Sequence, residues 1–185
     1  MLSTNIKEAT KMAHQELEGK VVKKLKAIRS EADYADVLKH FYAYFNTLEA
    51  AIKPYITEGL LPDYASRRNS SYLKQDIEEL GAFINDLPPV TIPAIGNVTE
   101  ALGALYVMEG SIMGGPYIVK MLQKSGIDKG FSFFSGYGEE TGRMWDNFTS
   151  VMNQTISAEK DQAMAIKSAN ETFSNFSHVF EVKAA

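Results

Sequence analysis

Three histidines, His14, His40 and His178, are the only imidazoles in the chain, and cysteine is absent. Disulfides, thiolate metal sites and prosthetic groups tied through thioethers are therefore excluded. A dinuclear carboxylate centre in a helical bundle requires Glu-x-x-His on two helices. Here Glu16 and Glu18 follow His14, and Glu171 precedes His178 by seven residues, so that pattern is not met. A three-histidine zinc site would need every imidazole, drawn from three distant segments. Judged singly, each histidine reads as an ordinary surface or boundary residue. Two segments set His14 apart: its own setting, "IKEATKMAH" over residues 6–14, and the stretch "ALYVMEGSIMGGPYIVKMLQKSG" over residues 104–126. In the second, Tyr106, Val107, Ile112, Met113, Tyr117, Ile118, Met121 and Leu122 recur at helical spacing around Gly110, Gly114, Gly115 and Pro116. Glycine weakens a helix and lets another group approach bare backbone. Pro116 removes a donor and presses on the carbonyl of Ile112, which predicts a break there. Close helix–helix packing is the plainer use of the same glycines.

The elements that must carry these residues are helical. Ile6, Ala9, Ala13 and Leu17 form a stripe over 5–18, with Asn5 and Glu8 spaced as a capping box. Tyr34, Val37, Leu38, Phe41, Phe45, Leu48 and Ile52 mark a long helix over 31–55. A shorter helix is predicted over 72–83, the broken helix over 98–124, and two more over 139–156 and 158–181. "NDLPPVTIPAIGN" contains three prolines and reads as an extended surface loop, while 125–142 reads as a structured Gly- and Ser-rich loop in which Phe131–Phe134 could form a short strand. The fold class is all-α, a single-domain bundle over residues 1–185 with a kinked, glycine-rich helix. That length suffices for a sizeable core. A formal net charge of -4 argues against nucleic acid as the partner. No signal peptide and no membrane-spanning stretch are evident, so a cytoplasmic protein is expected.

Taken together the two segments resemble heme oxygenases. In that family a short N-terminal helix with a motif close to "LKEATKxxH" supplies the histidine that binds haem iron, and a kinked glycine-rich helix covers the opposite haem face. "YVMEGSIMGGPYI", residues 106–118, is most similar to the biliverdin-producing bacterial subgroup that serves bacteriophytochromes, as is "FFSGYGEETGRMWDNF" at 133–148. The resemblance implies that His14 is the axial iron ligand, with Glu18 one turn on as its orienting acceptor. Lys7 and Arg143 would hold the haem propionates. Gly110, Gly114 and Gly115 would bare the helix toward the haem, with Tyr106, Tyr117, Phe173 and Phe176 as pocket walls.

One departure bears on catalysis. Many members carry aspartate after the glycine matching Gly110, where it holds the water that delivers protons to bound dioxygen; here the residue is Ser111. A hydroxyl orients water without supplying the same charge. Glu109 is the alternative carboxylate, although adjacent helical positions face different ways. Cations that other members place on the last helices are also missing from "SVMNQTISAE". The expected activity is oxidative cleavage of haem, both substrate and cofactor, with O2, to biliverdin, CO and ferrous iron. No flavin or nicotinamide fingerprint is present, so electrons would come from a ferredoxin or flavoprotein reductase, and a bacteriophytochrome could accept the biliverdin. The alternatives are a haem-binding or haem-sensing protein of the same fold, and a helical enzyme acting on another small molecule with His14 merely structural.

Overall fold

A computed structural model describes residues 1–181. Its helices are α1 (Leu2–Ala9), α2 (Lys11–Lys26), α3 (Glu31–Ile52), α4 (Ser70–Glu79), α5 (Val98–Met113), α6 (Gly115–Lys124), α7 (Thr141–Thr155) and α8 (Glu159–Val179). Short 3-10 turns occupy Tyr64–Ser66 and Gly138–Glu140, and there is no strand among the described residues. The expected short strand at Phe131–Phe134 is a turn. Tyr34 Oη donates to Gly130 O at 2.6 Å, and buried Asp76 accepts from Ser132 N, Ser132 Oγ and Phe133 N at 2.9, 2.6 and 2.9 Å. These bonds satisfy backbone donors that a partner strand would otherwise have to meet.

Local chemistry explains where the helices begin. Ser30 caps α3 by accepting from Asp33 N, and acidic Glu31 and Asp33 complement the positive end of the helix. Asn97 caps α5 by accepting from Glu100 N at 2.9 Å, while Glu100 reaches back to Gly96 N at 2.7 Å. At the N-terminus the expected capping box does not form. The first helix starts at Leu2, leaving Asn5 inside α1, where its side chain donates to Gln162. The predicted 5–18 helix is instead two helices hinged at Thr10, whose hydroxyl donates to Ile6 O at 2.7 Å. The second runs on to Lys26 because Leu17, Val21 and Leu25 continue a buried stripe at four-residue spacing.

The core is dominated by aromatic side chains. Phe41, Tyr44 and Phe45 of α3 meet Phe176 of α8 at centroid separations of 5.0, 4.7 and 5.1 Å, in edge, stacked and tilted arrangements. The Tyr44 hydroxyl finds its partner at Thr172 O, 2.8 Å away. α5 lies along α8 at a distance only glycine allows: a Cβ on Gly103 would meet Ser168 Cβ at 3.0 Å and the Ala165 carbonyl carbon at 3.1 Å. Ser168 Oγ donates across this contact to Glu100 O at 2.7 Å. α1 packs on α7 and α8, whereas α2 packs on α8 and α6.

Candidate functional site

A cavity of about 400 Å³ opens between α2 and the α5–α6 pair, within the usual size range for small-molecule sites. His14 sits in the first turn of α2 and is exposed to this space, its ring stacked on Phe173 of α8 at 5.3 Å and 30°. Glu18, Val22 and Leu25 continue the same wall. Tyr106, Val107, Gly110, Ser111 and Gly114 supply the α5 side, with Tyr117 and Ile118 of α6 at the mouth. Phe41, Phe173 and Phe176 close the back. Most of the lining is apolar, so water is readily displaced by a flat hydrophobic ligand.

The helix breaks as expected from the glycines and proline. α5 stops at Met113, Gly114 is a single turn residue that keeps right-handed backbone angles, and α6 resumes at Gly115 with Pro116 in its first turn. The glycines do not act alike. A Cβ added at Gly110 would meet nothing within 4 Å, and one at Gly114 only Ser111 O at 3.7 Å. Both therefore bare the backbone toward open space. Gly115 is instead buried against the loop, where a Cβ would clash with Phe134 O and lie 2.8 Å from its carbonyl carbon. Its bareness serves the hinge and contributes nothing to the cavity wall.

The structure thus brings His14, Glu18, Gly110, Ser111, Gly114 and Tyr117 together around one space. It does not bring Lys7, Gly115 or Arg143 there. Lys7 is exposed on α1, outside the cavity lining, and Arg143 is an exposed partner of Glu140. Among the described residues no lysine or arginine lines the cavity. Ser111 Oγ donates to Val107 O at 3.0 Å, so toward the cavity it presents acceptor lone pairs. Glu109 is not its substitute. It is turned to the far side of α5 and is 3% exposed, with Oε2 accepting from Arg67 Nη1 at 2.7 Å and from Tyr137 Oη at 3.4 Å. Burial pushes its carboxyl above the usual range, while Arg67 draws it back. Leu17, Val21, Val22, Leu25, Phe41, Val107, Met113 and Ile118 complete the lining and were not singled out from the sequence as cavity residues. For the α2 members the signal was present in the four-residue recurrence beyond Leu17.

The family model described as heme oxygenase matches residues 1–182. The chain belongs to the heme oxygenase family. Among curated relatives, Heme oxygenase PigA of Pseudomonas aeruginosa is 26% identical over 174 residues, covering 93% of this chain and 87% of that protein. A heme oxygenase of Xanthomonas campestris is 27% identical over 145 residues, covering 77% and 86%. Among solved structures, the heme oxygenase of Neisseria meningitidis, determined with NO and CO bound, superposes with a TM-score of 0.82 at 22% identity, over 98% of this chain and 90% of that one. This last likeness speaks for the fold, and the all-helical architecture with its interrupted α5–α6 helix is that of heme oxygenases. No described helix is long and apolar enough to cross a membrane.

The residues present suit a haem. Among those described, no three His, Cys, Asp or Glu side chains converge to hold a metal ion. Were His14 to hold an iron, that iron would have to bring its other donors with it, as an iron porphyrin does. The bare backbone at Gly110 and Gly114 leaves the room that the face of a macrocycle requires.

Proposed function

We propose that this chain cleaves haem oxidatively to biliverdin, carbon monoxide and ferrous iron, with dioxygen and electrons from a separate ferredoxin or flavoprotein donor. One observation carries the reading: a lone imidazole, His14, and backbone left bare at Gly110 and Gly114 line the same largely apolar cavity from opposite elements. Bound haem would supply the iron and conjugated ring on which dioxygen is activated. The protein's own residues do the rest. His14 would hold the iron through one ring nitrogen. Phe173, stacked on the imidazole, limits its rotation, and Glu18 on the same wall would serve as acceptor for the second ring nitrogen. Gly110 and Gly114 let the roof come close over the ring. Ser111, its proton committed to Val107, accepts a hydrogen bond from a cavity water and so orients that water's remaining hydrogen toward the reacting centre. With no lysine or arginine among the described lining residues, the apolar walls and His14 would be the main hold on the ring. The biliverdin product would suit a bacteriophytochrome as acceptor.

Titration with haem tests this directly. The wild-type chain is expected to develop a saturable Soret band, and His14→Ala to lose the spectrum of axially ligated haem while unfolding within about 0.5 kcal/mol of wild type, as an exposed residue should. An unchanged spectrum in that variant removes His14 as the ligand. Adding reductant and air to the wild-type complex should then yield a biliverdin band. Haem that binds but persists would favour the haem-binding or haem-sensing reading, for which Ser111 in place of a carboxylate is the supporting observation.

A further inference from the structure

Arg67 and Glu109 form an ion pair almost wholly removed from water, 1% and 3% exposed. Taking two charges into a protein interior is costly, and a well-packed apolar pair of similar volume is often as stable. Hydrophobic burial thus gives no reason for this pair to be here.

The guanidinium commits four of its five N–H donors to neighbouring acceptors. Its Nε and Nη2 donate to the two carboxylate oxygens of Asp63 at 2.8 and 2.9 Å, Nη1 donates to Glu109 at 2.7 Å, and Nη2 also donates to Met144 O of α7 at 2.9 Å. Tyr137 Oη donates to the same Glu109 oxygen at 3.4 Å and accepts from Arg68 N at 2.9 Å. Glu109 is thus held between the segment 63–68, the start of α7 and the 131–138 loop. It is also the residue immediately before Gly110.

We propose that Arg67 and Glu109 are positioning residues that fix the rotation of α5 about its axis, holding Gly110 and Ser111 toward the haem cavity. This rests on the haem-cleaving reading above. The rest of the buried part of α5 is apolar or glycine: Ala101, Leu102, Gly103, Ala104, Leu105, Tyr106, Val107, Met108 and Ile112. Apolar packing of that kind tolerates alternative arrangements and specifies orientation weakly. Successive residues turn by about 100° on a helix, so a modest twist of α5 would carry Ser111 out of the cavity and swing Val107 across it. A multiply bonded carboxylate admits one rotation only. Beyond the roof, Gly115 packs on the Phe134 backbone, in the loop that Asp76 clamps and to which Tyr137 belongs. The roof, residues 110–114, is suspended between two anchors that share one loop.

The pair Arg67→Met with Glu109→Leu tests this, because it fills the same space without charge and should retain the fold. In the haem-free protein we expect amide hydrogen exchange at residues 110–114 to accelerate about tenfold or more, with α3 and α8 unchanged. In the reduced haem complex the stretching band of added carbon monoxide should shift and broaden. Glu109→Gln, which keeps the length and the hydrogen bond, should preserve both wild-type readouts. Glu109→Asp, one methylene short, should disturb both. Should the Met–Leu pair fail to fold, the Gln and Asp variants decide the matter between them. The proposal is overturned if every variant exchanges and absorbs like wild type. It is equally overturned if Glu109→Gln departs as far as Glu109→Asp, since charge alone would then be at work. Failure of the wild-type chain to bind haem would sink the haem-cleaving reading but leave the exchange measurement to judge α5's anchoring.

Discussion

The two sides of α5 differ in what they are given to touch. On the cavity side Gly110 presents bare backbone to a space in which an added Cβ would meet nothing within 4 Å. On the other side Leu105, Met108 and Ile112 are packed, and Glu109 is locked to Arg67. A second cavity of about 370 Å³ lies on that side, lined by Glu49, Tyr64, Arg67, Arg68, Leu105 and Met108. It is richer in ionisable groups than the His14 cavity, yet it lacks an imidazole and bare backbone. A site for a flat apolar ligand is therefore marked by side chains withheld, and a scaffold by side chains bonded. The kink joins the two regimes, with Gly114 open and Gly115 packed one residue later.

The largest expected effect comes from adding one methyl group on the packed side. In Gly115→Ala the new Cβ falls into the Phe134 carbonyl, and backbone cannot yield as a flexible side chain would. We expect destabilisation of about 2–3 kcal/mol. At this chain length that is a fall in melting temperature of roughly 4–12 °C, readable by thermal denaturation of the haem-free protein. A melting temperature equal to wild type would mean that the hinge is not held by this contact.

The same substitution on the open side should do the opposite to stability. Gly110→Ala lies in a helix and meets no neighbour, so the haem-free protein should gain about 0.5–1 kcal/mol from lost backbone freedom in the unfolded chain. Its methyl, however, enters the cavity, and haem affinity should weaken by about tenfold, roughly 1.4 kcal/mol. Denaturant unfolding and haem titration on one preparation would show the two effects diverge. If affinity is untouched, the roof does not approach the ring at Gly110.

This divergence also shows what could be read from residue letters. The helices and the break near Pro116 rest on periodicity and on local backbone chemistry, whereas the grouping of His14, Gly110, Ser111 and Tyr117 is legible only through the family resemblance. Gly110 and Gly115 are the same letter in the same stretch, and only the approach of residue 134, far along the chain, separates their roles. Lys7 shares a helical phase with His14 on paper, but the hinge at Thr10 places them on separate helices, and only His14 lines the cavity. Arg67 and Glu109 lie 42 residues apart with no periodic link, so their union is visible only in three dimensions. Val21 and Leu25 of α2 had a legible stripe, obscured by the lysines interleaved with it.

The smallest expected effect probes the dryness of the scaffold side. Tyr64 lines the second cavity, and burial, with the charges of Glu49 and Glu109 adding to it, pushes its phenol up to about 12. In the unfolded chain a phenol loses its proton near 10. The unfolded state therefore releases the proton first, and the stability this group contributes, fully present below about pH 10, is lost as pH rises toward about 12. At neutral pH Tyr64→Phe should lie within about 0.5 kcal/mol of wild type. Through the alkaline window its stability should fall less steeply, leaving the slope due to Tyr34, Tyr44 and Tyr137, whose phenols burial also raises. Unfolding curves stepped through that window, alongside phenolate absorbance, separate these contributions. A Tyr64 that ionises near 10 like a solvated phenol would mean water reaches the back of α5, and the contrast between its two sides would then be one of shape alone.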